Sequence, residues 1–90
     1  MTPQQCTKID FDEISTCDLF VAFPGSPASP GTHIEIGWAS ALKKKIVLLL
    51  EKDRDYAFLI QGLNVVADVE YINFKDTDDL LQKIKSILMK

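Results

Sequence analysis

The sequence predicts a small α/β domain built on a parallel sheet, and three observations support this class. Apolar residues make up 47% of the 90 residues, which is enough to build a core. The runs Leu19–Phe23 and Ile46–Leu50 are short and continuously apolar, as strands buried on both faces are. Helical segments with short connections alternate with the strands, which is typical of a parallel sheet covered by helices. We therefore expect a three-layer, Rossmann-like (flavodoxin-like) fold in the order β-α-β-α-β-α.

The N-terminal half of the chain supplies the first strand and the first helix of this pattern. Residues 1–9 are interpreted as a loose leader, and a short amphipathic turn follows them. The first strand ends at Pro24-Gly25, a pair that interrupts regular structure. After a proline-rich loop, a helix is expected from about Thr32 to Leu42.

The C-terminal half completes the alternation. After the second strand, "RDYAFLIQGL" is typical of a short helix closed by Gly62. The segment "DVEYINFK" alternates apolar and polar residues and predicts a third strand, and "DTDDLLQKIKSILMK" carries the apolar stripe of a final helix. We expect a single domain over residues 1–90, divided into a leader at 1–17 and a core at 18–90.

Composition argues against several classes of function. The net charge is −3 and Arg54 is the only arginine, so the chain lacks the basic surface that binds a nucleic-acid polymer. The longest apolar run is too short to cross a membrane. Cys6 and Cys17 do not form a disulfide framework, and no signal peptide opens the sequence, so a reduced, cytoplasmic setting is expected. His33 is the only histidine, and we expect neither a metal nor a cofactor.

The stretch "SPGTHIEIGWASALKKK" contains the main functional candidates. Ligands of open parallel sheets bind beyond the carboxyl ends of the strands, and the loop after the first strand lies at such an end. This loop leads into a helix N-terminus, whose free N–H groups favour anions and polar oxygens. Glu35 follows one turn into that helix, in an apolar setting. The candidate ligand-binding residues are Asp18, Phe23, Pro24, Gly25, Ser26, Ser29, Gly31, Thr32 and His33.

Two interpretations of Glu35 remain open at this point. The spacing of Thr32 and Glu35 matches a capping box, in which Thr32 caps the helix and Glu35 bonds back to the Thr32 N–H, for about 1 kcal/mol. Glu35 also shares a helical face with Ala39 and Leu42. A carboxylate in an apolar pocket has a raised pKa and is a candidate nucleophile or acid.

The segment from about Asp18 to Glu51 resembles the nucleoside 2-deoxyribosyltransferase family, which also includes nucleotide N-glycosidases. The resemblance implies that Glu35 is the nucleophile, which attacks the anomeric carbon of the sugar and displaces the base. The matching motif is an acidic residue and an apolar strand, a variable loop, and then Gly-Thr-x-x-Glu-x-Gly-x-Ala. Its positions here are Asp18, Leu19–Ala22, Gly31, Thr32, Glu35, Gly37 and Ala39.

The chain departs from the family pattern in two places, and the departures leave two functions open. Family members usually carry an aspartate shortly before the Gly-Thr pair, where this chain has "SPASP", and they begin with a strand unit that we do not find before Asp18. One hypothesis is a nucleoside or nucleotide N-glycosidase or deoxyribosyltransferase. The alternative is a non-catalytic protein that sequesters a nucleotide signal such as an ADP-ribose derivative. A third option is a degenerate fragment that mainly dimerises.

A homo-oligomer is expected on physical grounds. Three parallel strands leave edges and faces uncovered, and a domain of this size is marginally stable alone. The segment "YAFLIQGL" carries more apolar side chains than one short helix needs for its own core contacts, so we predict an interface there.

Overall fold

The fold, described here from a computed structural model that covers residues 1–25 and 29–88, alternates helices and strands. A helix comes before the first strand, and each later strand follows a helical segment. The elements are α1 (Pro3–Thr16), β1 (Leu19–Ala22), α2 (Pro30–Ala41), β2 (Lys45–Glu51), α3 (Phe58–Gln61), the 3-10 turn η1 (Leu63–Val65), β3 (Val69–Phe74) and α4 (Thr77–Leu88).

The three strands form one parallel sheet in the order β1-β2-β3. In the register, Val21 of β1 lies opposite Val47 of β2, and Leu48 of β2 lies opposite Tyr71 of β3. The central strand is buried from Ile46 to Leu50, as a strand covered on both faces must be. The predicted α/β class, with a three-layer parallel sheet, is therefore confirmed.

The helices cover the two faces of the sheet unequally. On one face, α1, α2 and α3 pack on the larger core, whose buried members are Ile14, Ala22, Ile36, Ala39, Ile46, Leu48, Leu50 and Ile60. On the other face, α4 alone packs on a smaller core of Val47, Leu49 and Ile72. Because α4 contacts mainly β3, the outer side of β1 is incompletely covered, and Val21 is 48% exposed.

The expectation of a loose leader over residues 1–9 is wrong, because these residues begin the helix α1. The hydroxyl of Thr2 accepts a hydrogen bond from the Gln5 N–H at 3.1 Å, and the Gln5 side chain accepts one from the Thr2 N–H at 2.8 Å. Pro3 occupies the first turn, where its missing N–H costs nothing. Ile14 anchors the other end of the helix in the core. A capping box and one buried anchor thus hold a helix with little overall amphipathicity.

Helix α2 begins at Pro30, two positions before the expected start at Thr32. Ser29 is its N-cap, and the His33 N–H donates to the Ser29 carbonyl at 3.0 Å. The interpretation of Thr32 and Glu35 as a capping box is therefore wrong, since Thr32 already lies inside the helix. This leaves the Glu35 carboxyl free for other contacts.

Among residues 1–25 and 29–88, no helix has both the length and the apolar character needed to cross a membrane.

Candidate functional site

Glu35 lines an open cleft of about 290 Å³ at the outer edge of β1. Helix α1 forms one wall, helix α2 contributes Glu35, and the strand forms the floor. The packing of α1 on α2 creates this cleft, because it brings the middle of α1 over the first turns of α2. The lining residues are Asp10, Glu13, Ile14, Cys17, Leu19, Phe20, Val21 and Glu35.

The pKa of Glu35 is raised above its ordinary value by three effects. Partial burial is the largest, because it removes water from the carboxylate. The negative charge of Asp10 acts in the same direction, and a hydrogen bond between the two carboxyl groups adds to it. Each of these effects favours the protonated form of Glu35 over its ionised form. The cleft therefore places two carboxyl groups side by side, with Glu35 easier to protonate than an ordinary glutamate.

The two residues that flank residues 25–28, Pro24 and Ser29, are joined by a backbone hydrogen bond. Pro24 is almost fully buried, and its carbonyl accepts a hydrogen bond from the Ser29 N–H at 3.3 Å. Gly25 has φ of 84°, a left-handed conformation that glycine adopts without strain. The predicted ligand residue Ser26 lies outside the described residues.

The first turn of α2 places polar groups beside the same hydrogen bond. The Thr32 hydroxyl donates to the Ser29 hydroxyl at 3.2 Å, and the His33 Nδ1 lies 2.7 Å from the Ser29 carbonyl. A carbonyl only accepts, so Nδ1 carries the proton. The Nε2 of His33 is enclosed and has no partner among the described residues. A Cβ built at Gly31 would meet no atom of residues 1–25 and 29–88 within 4 Å.

One predicted ligand residue, Phe23, lies apart from Glu35. Asp18 comes directly before β1, and its chain neighbours Cys17 and Leu19 line the same cleft as Glu35. The ring of Phe23 contacts the ring of Phe74, with centroids 6.2 Å apart, in the layer that α4 covers. Glu35 lies on the opposite side of the sheet, on α2. The structure therefore separates the ring of Phe23 from Glu35, and it connects Pro24, Ser29, Thr32 and His33 by hydrogen bonds at the start of α2.

Asp10 is the site residue that sequence reasoning missed. It belongs to the region interpreted as a leader and a short turn, and neither element is expected to hold a partner for Glu35. A local signal existed, because Thr2 and Gln5 have capping-box spacing and Pro3 stands at the first helical position. Recognising a helix from these signals would have placed Asp10 on a structured element, although its contact with Glu35 depends on how two helices pack.

Within residues 1–25 and 29–88, no group of three histidine, cysteine or carboxylate side chains is arranged to hold a metal ion.

Comparison with known proteins identifies the family of this chain. The sequence profile of the nucleoside 2-deoxyribosyltransferase family matches residues 2–81. The structure is similar to that of the Clostridium botulinum CMP N-glycosidase BcmB, with a TM-score of 0.92 and 57% identity over 97% of this chain and 71% of that chain. It is also similar to the solution structure of BlsM, with a TM-score of 0.74 and 58% identity over 84% of this chain and 48% of that chain. No curated protein matches the chain significantly. With its family profile matched over nearly the whole sequence, the chain belongs to the nucleoside 2-deoxyribosyltransferase family.

Proposed function

We propose that this protein cleaves the N-glycosidic bond of a nucleoside or nucleotide, or transfers its sugar to another base, with Glu35 as the nucleophile. The observation that carries the proposal is the position of Glu35 beside Asp10, in an open cleft along the outer edge of β1. Membership in the family and the likeness to BcmB, a CMP N-glycosidase, support the same reaction class.

The chemistry requires Glu35 to be ionised when it attacks. Its carboxylate forms a bond to the anomeric carbon while the bond from that carbon to the base nitrogen breaks, and the bonding electrons leave with the base. Water then attacks the anomeric carbon of the sugar ester, gives its proton to the Asp10 carboxylate, and releases the free sugar and the Glu35 carboxylate. In the transfer reaction, a second base takes the place of water and likewise gives up a proton to Asp10. The oxocarbenium-like transition state carries positive charge, which the carboxylate stabilises.

Asp10 supplies the second carboxyl that this reaction needs. Partial burial, the charge of Asp10 and a hydrogen bond with Asp10 raise the pKa of Glu35. In the proposed cycle Glu35 attacks as the carboxylate, and Asp10 carries the proton. Asp10 then gives the proton to the departing base, which is the step that a general acid accelerates.

The loop and the first turn of α2 are proposed to hold the polar part of the substrate. The backbone N–H groups at the start of a helix favour an anion, and Ser29 and Thr32 add hydroxyl groups there. A Cβ built at Gly31 meets no atom of residues 1–25 and 29–88, which is consistent with a ligand approaching the backbone there. A nucleoside monophosphate presents its phosphate and its sugar close enough together to occupy both this turn and the cleft.

Mass spectrometry of the reaction products tests the proposal. The protein is incubated with CMP, other nucleoside monophosphates, nucleosides, NAD and ADP-ribose, and the free and protein-bound fractions are analysed separately. We expect free base with the wild-type protein, and a loss on the order of 10³-fold or more in Glu35→Gln, which keeps the shape and a hydrogen bond to Asp10. Glu70→Gln, the same change on β3, is the matched control and should retain activity.

Comparison of the free and the protein-bound fractions distinguishes the remaining outcomes. An intact nucleotide carried with the protein, with no free base, would overturn the enzymatic proposal and indicate a non-catalytic nucleotide-binding protein. Free base that appears equally with wild type and Glu35→Gln would overturn the role of Glu35.

A further inference from the structure

Lys44 joins the two helices that carry the carboxyl groups of the cleft. It lies in the turn between α2 and β2, where its N–H donates a hydrogen bond to the Ala39 carbonyl of α2 at 2.9 Å. Its ammonium donates a hydrogen bond to the Ser15 carbonyl of α1 at 2.8 Å. One residue is thus bonded through its backbone to α2 and through its side chain to α1.

The bond to α1 satisfies a group that the helix itself leaves without a partner. The last four carbonyls of a helix have no partner within it, and Ser15 belongs to the last turn of α1. A positive charge is favourable at this end of a helix, but the last turn of α1 contains no basic residue. Lys44 supplies both the donor and the charge from outside the helix.

The two lysines beside Lys44 have different surroundings. Lys43 and Lys45 are exposed, whereas Lys44 is partly buried. The ammonium of Lys45 pairs at 3.1 Å with Asp68, which comes just before β3. The three consecutive lysines are therefore not equivalent, and Lys43 and Lys45 serve as controls for Lys44.

Few other contacts fix α1 on the rest of the molecule. Ile14 is the only residue of this helix that is buried. The ring of Phe11 packs edge-on against the ring of Trp38 of α2, with centroids 5.3 Å apart. Residues 1–9 are exposed. Because α1 has so few anchors, we expect the loss of the Lys44 bond to let the helix shift on α2.

The contacts between α1 and α2 lie close to the carboxyl pair. Asp10 directly precedes Phe11 in α1, and Glu35 comes one turn before Ala39 in α2. Lys44 thus bonds to each helix within two turns of one of the two carboxyl groups. A shift of α1 on α2 would change the distance between these groups.

We propose that Lys44 is a positioning residue, which holds α1 on α2 so that Asp10 stays against Glu35. Lys44 is not among the described residues that line the cleft, so it acts through the helix and not on the substrate. The consequence for catalysis rests on the proposed function, because that function assigns the roles of the two carboxyl groups. The placement of α1 does not depend on it.

NMR titration of Glu35 in the full chain tests this placement without any substrate. The charged groups that line the cleft with Glu35 are Asp10 and Glu13, the thiol of Cys17 is also there, and β1 adds no titratable side chain. In Lys44→Met we expect the pKa of Glu35 to fall, because Asp10 moves away and its charge and hydrogen bond no longer raise it. The direction is diagnostic, since loss of a positive charge alone would raise that pKa.

Three variants sharpen this titration. Lys44→Arg keeps a cationic donor and should keep the pKa of Glu35 raised. Lys43→Met and Lys45→Met remove the same charge from the same turn and should leave that pKa unchanged. Circular dichroism checks that each variant is folded.

Kinetics with a nucleotide that the protein cleaves gives a second readout. Lys44→Met should lower kcat about 10-fold and change KM by less than about twofold, since a misplaced catalytic group reduces rate more than binding. In the background of Asp10→Asn, the same change should have little further effect, because the group that Lys44 positions is already lost. Lys44→Arg should restore kcat.

Three results would overturn the proposal. The first is a pKa of Glu35 that stays the same or rises in Lys44→Met, and the second is an equal fall in Lys43→Met. The third is a Lys44 ammonium that exchanges its protons with water as fast as that of Lys43 in the wild-type protein. The third measurement needs no variant, so it decides the matter even where Lys44→Met does not fold.

The experiment separates this proposal from the proposed function. A protein that releases no base from any nucleotide would overturn the proposed function, whereas the titration and the proton exchange would still show whether Lys44 holds Asp10 against Glu35.

Discussion

The two edges of the sheet are built in opposite ways. At the β3 edge, the Lys83 ammonium donates a hydrogen bond to the Asn73 carbonyl and forms an ion pair with Asp79 at 3.2 Å. The pKa of Asp79 is lowered, mainly because its carboxylate accepts a hydrogen bond from the Lys75 N–H. The hydrogen bond and the positive charge of Lys83 lower it further. At the β1 edge, no described side chain donates a hydrogen bond to the strand, and Val21 is half exposed beside the carboxyl cleft.

The two edges therefore differ in protection: side-chain contacts cover the β3 edge, whereas the β1 edge has no such cover from the described residues. A free strand edge invites pairing with other chains, and a lysine at the edge is a common way to prevent it. The β3 edge has this protection. The β1 edge instead adjoins Glu35, whose pKa is raised because partial burial and the neighbouring Asp10 disfavour its ionised form. Three predictions test whether the two edges differ in this way.

The largest effect is expected from Asp10→Asn at the β1 edge. We expect activity to fall about 10- to 100-fold, because asparagine cannot give a proton to the departing base. Loss of the Asp10 charge also lowers the pKa of Glu35, so the rise of activity with pH, which follows ionisation of Glu35, moves to lower pH. The measurement is kcat/KM against pH. Asp12→Asn, on the exposed side of the same helix, is the control, and an unmoved pH profile would refute the role of the pair.

The second effect, an increase in stability at pH 7, is expected from Glu35→Gln. A carboxyl whose pKa is raised on folding stabilises the protein below its unfolded pKa, and this contribution is lost as pH rises through the folded pKa. At pH 7 the ionised Glu35 therefore destabilises the fold, and glutamine removes that cost. We expect the Tm of the variant to be higher by about 2–4 °C at pH 7 and equal to that of wild type near pH 4.

Thermal unfolding at fixed protein concentration measures this difference. Glu70→Gln on β3 is the control and should leave Tm unchanged. A Glu35→Gln variant that is less stable than wild type at pH 7 would show that Glu35 supports the fold and that the comparison of the edges is wrong.

The smallest effect is expected from Lys83→Met at the β3 edge. Methionine keeps the apolar stem of the side chain but loses the hydrogen bond to the Asn73 carbonyl, a bond worth about 0.5–1.5 kcal/mol. Denaturant unfolding should show a loss in this range with activity unchanged. Lys85→Met, on the same helix but without such a bond among the described residues, is the control. An equal loss in both variants would mean that Lys83 has no special role at the edge.

Local pattern predicted the strands well and the N-terminal helix poorly, for a physical reason. The run from Ile46 to Leu50 is apolar at every position, because β2 is covered on both faces, and such a run is visible without tertiary information. Helix α1 buries only Ile14, so its sequence lacks a continuous apolar stripe. The expected start of α2 at Thr32 was too late, because it assumed that the Thr32 side chain caps the helix. The first hydrogen bond of the helix instead runs from the His33 N–H to the Ser29 carbonyl.

The sequence by itself determined the parallel α/β class and singled out Glu35, because buried strands and a carboxylate in an apolar helix are local patterns. Only the tertiary structure decided what Glu35 faces. Asp10, which is 25 positions away in the sequence, reaches it through the packing of α1 on α2. The tertiary structure also decided that Lys83 protects one edge of the sheet while the other stays open. These outcomes depend on how separate elements pack against one another, and no short stretch of sequence encodes that packing.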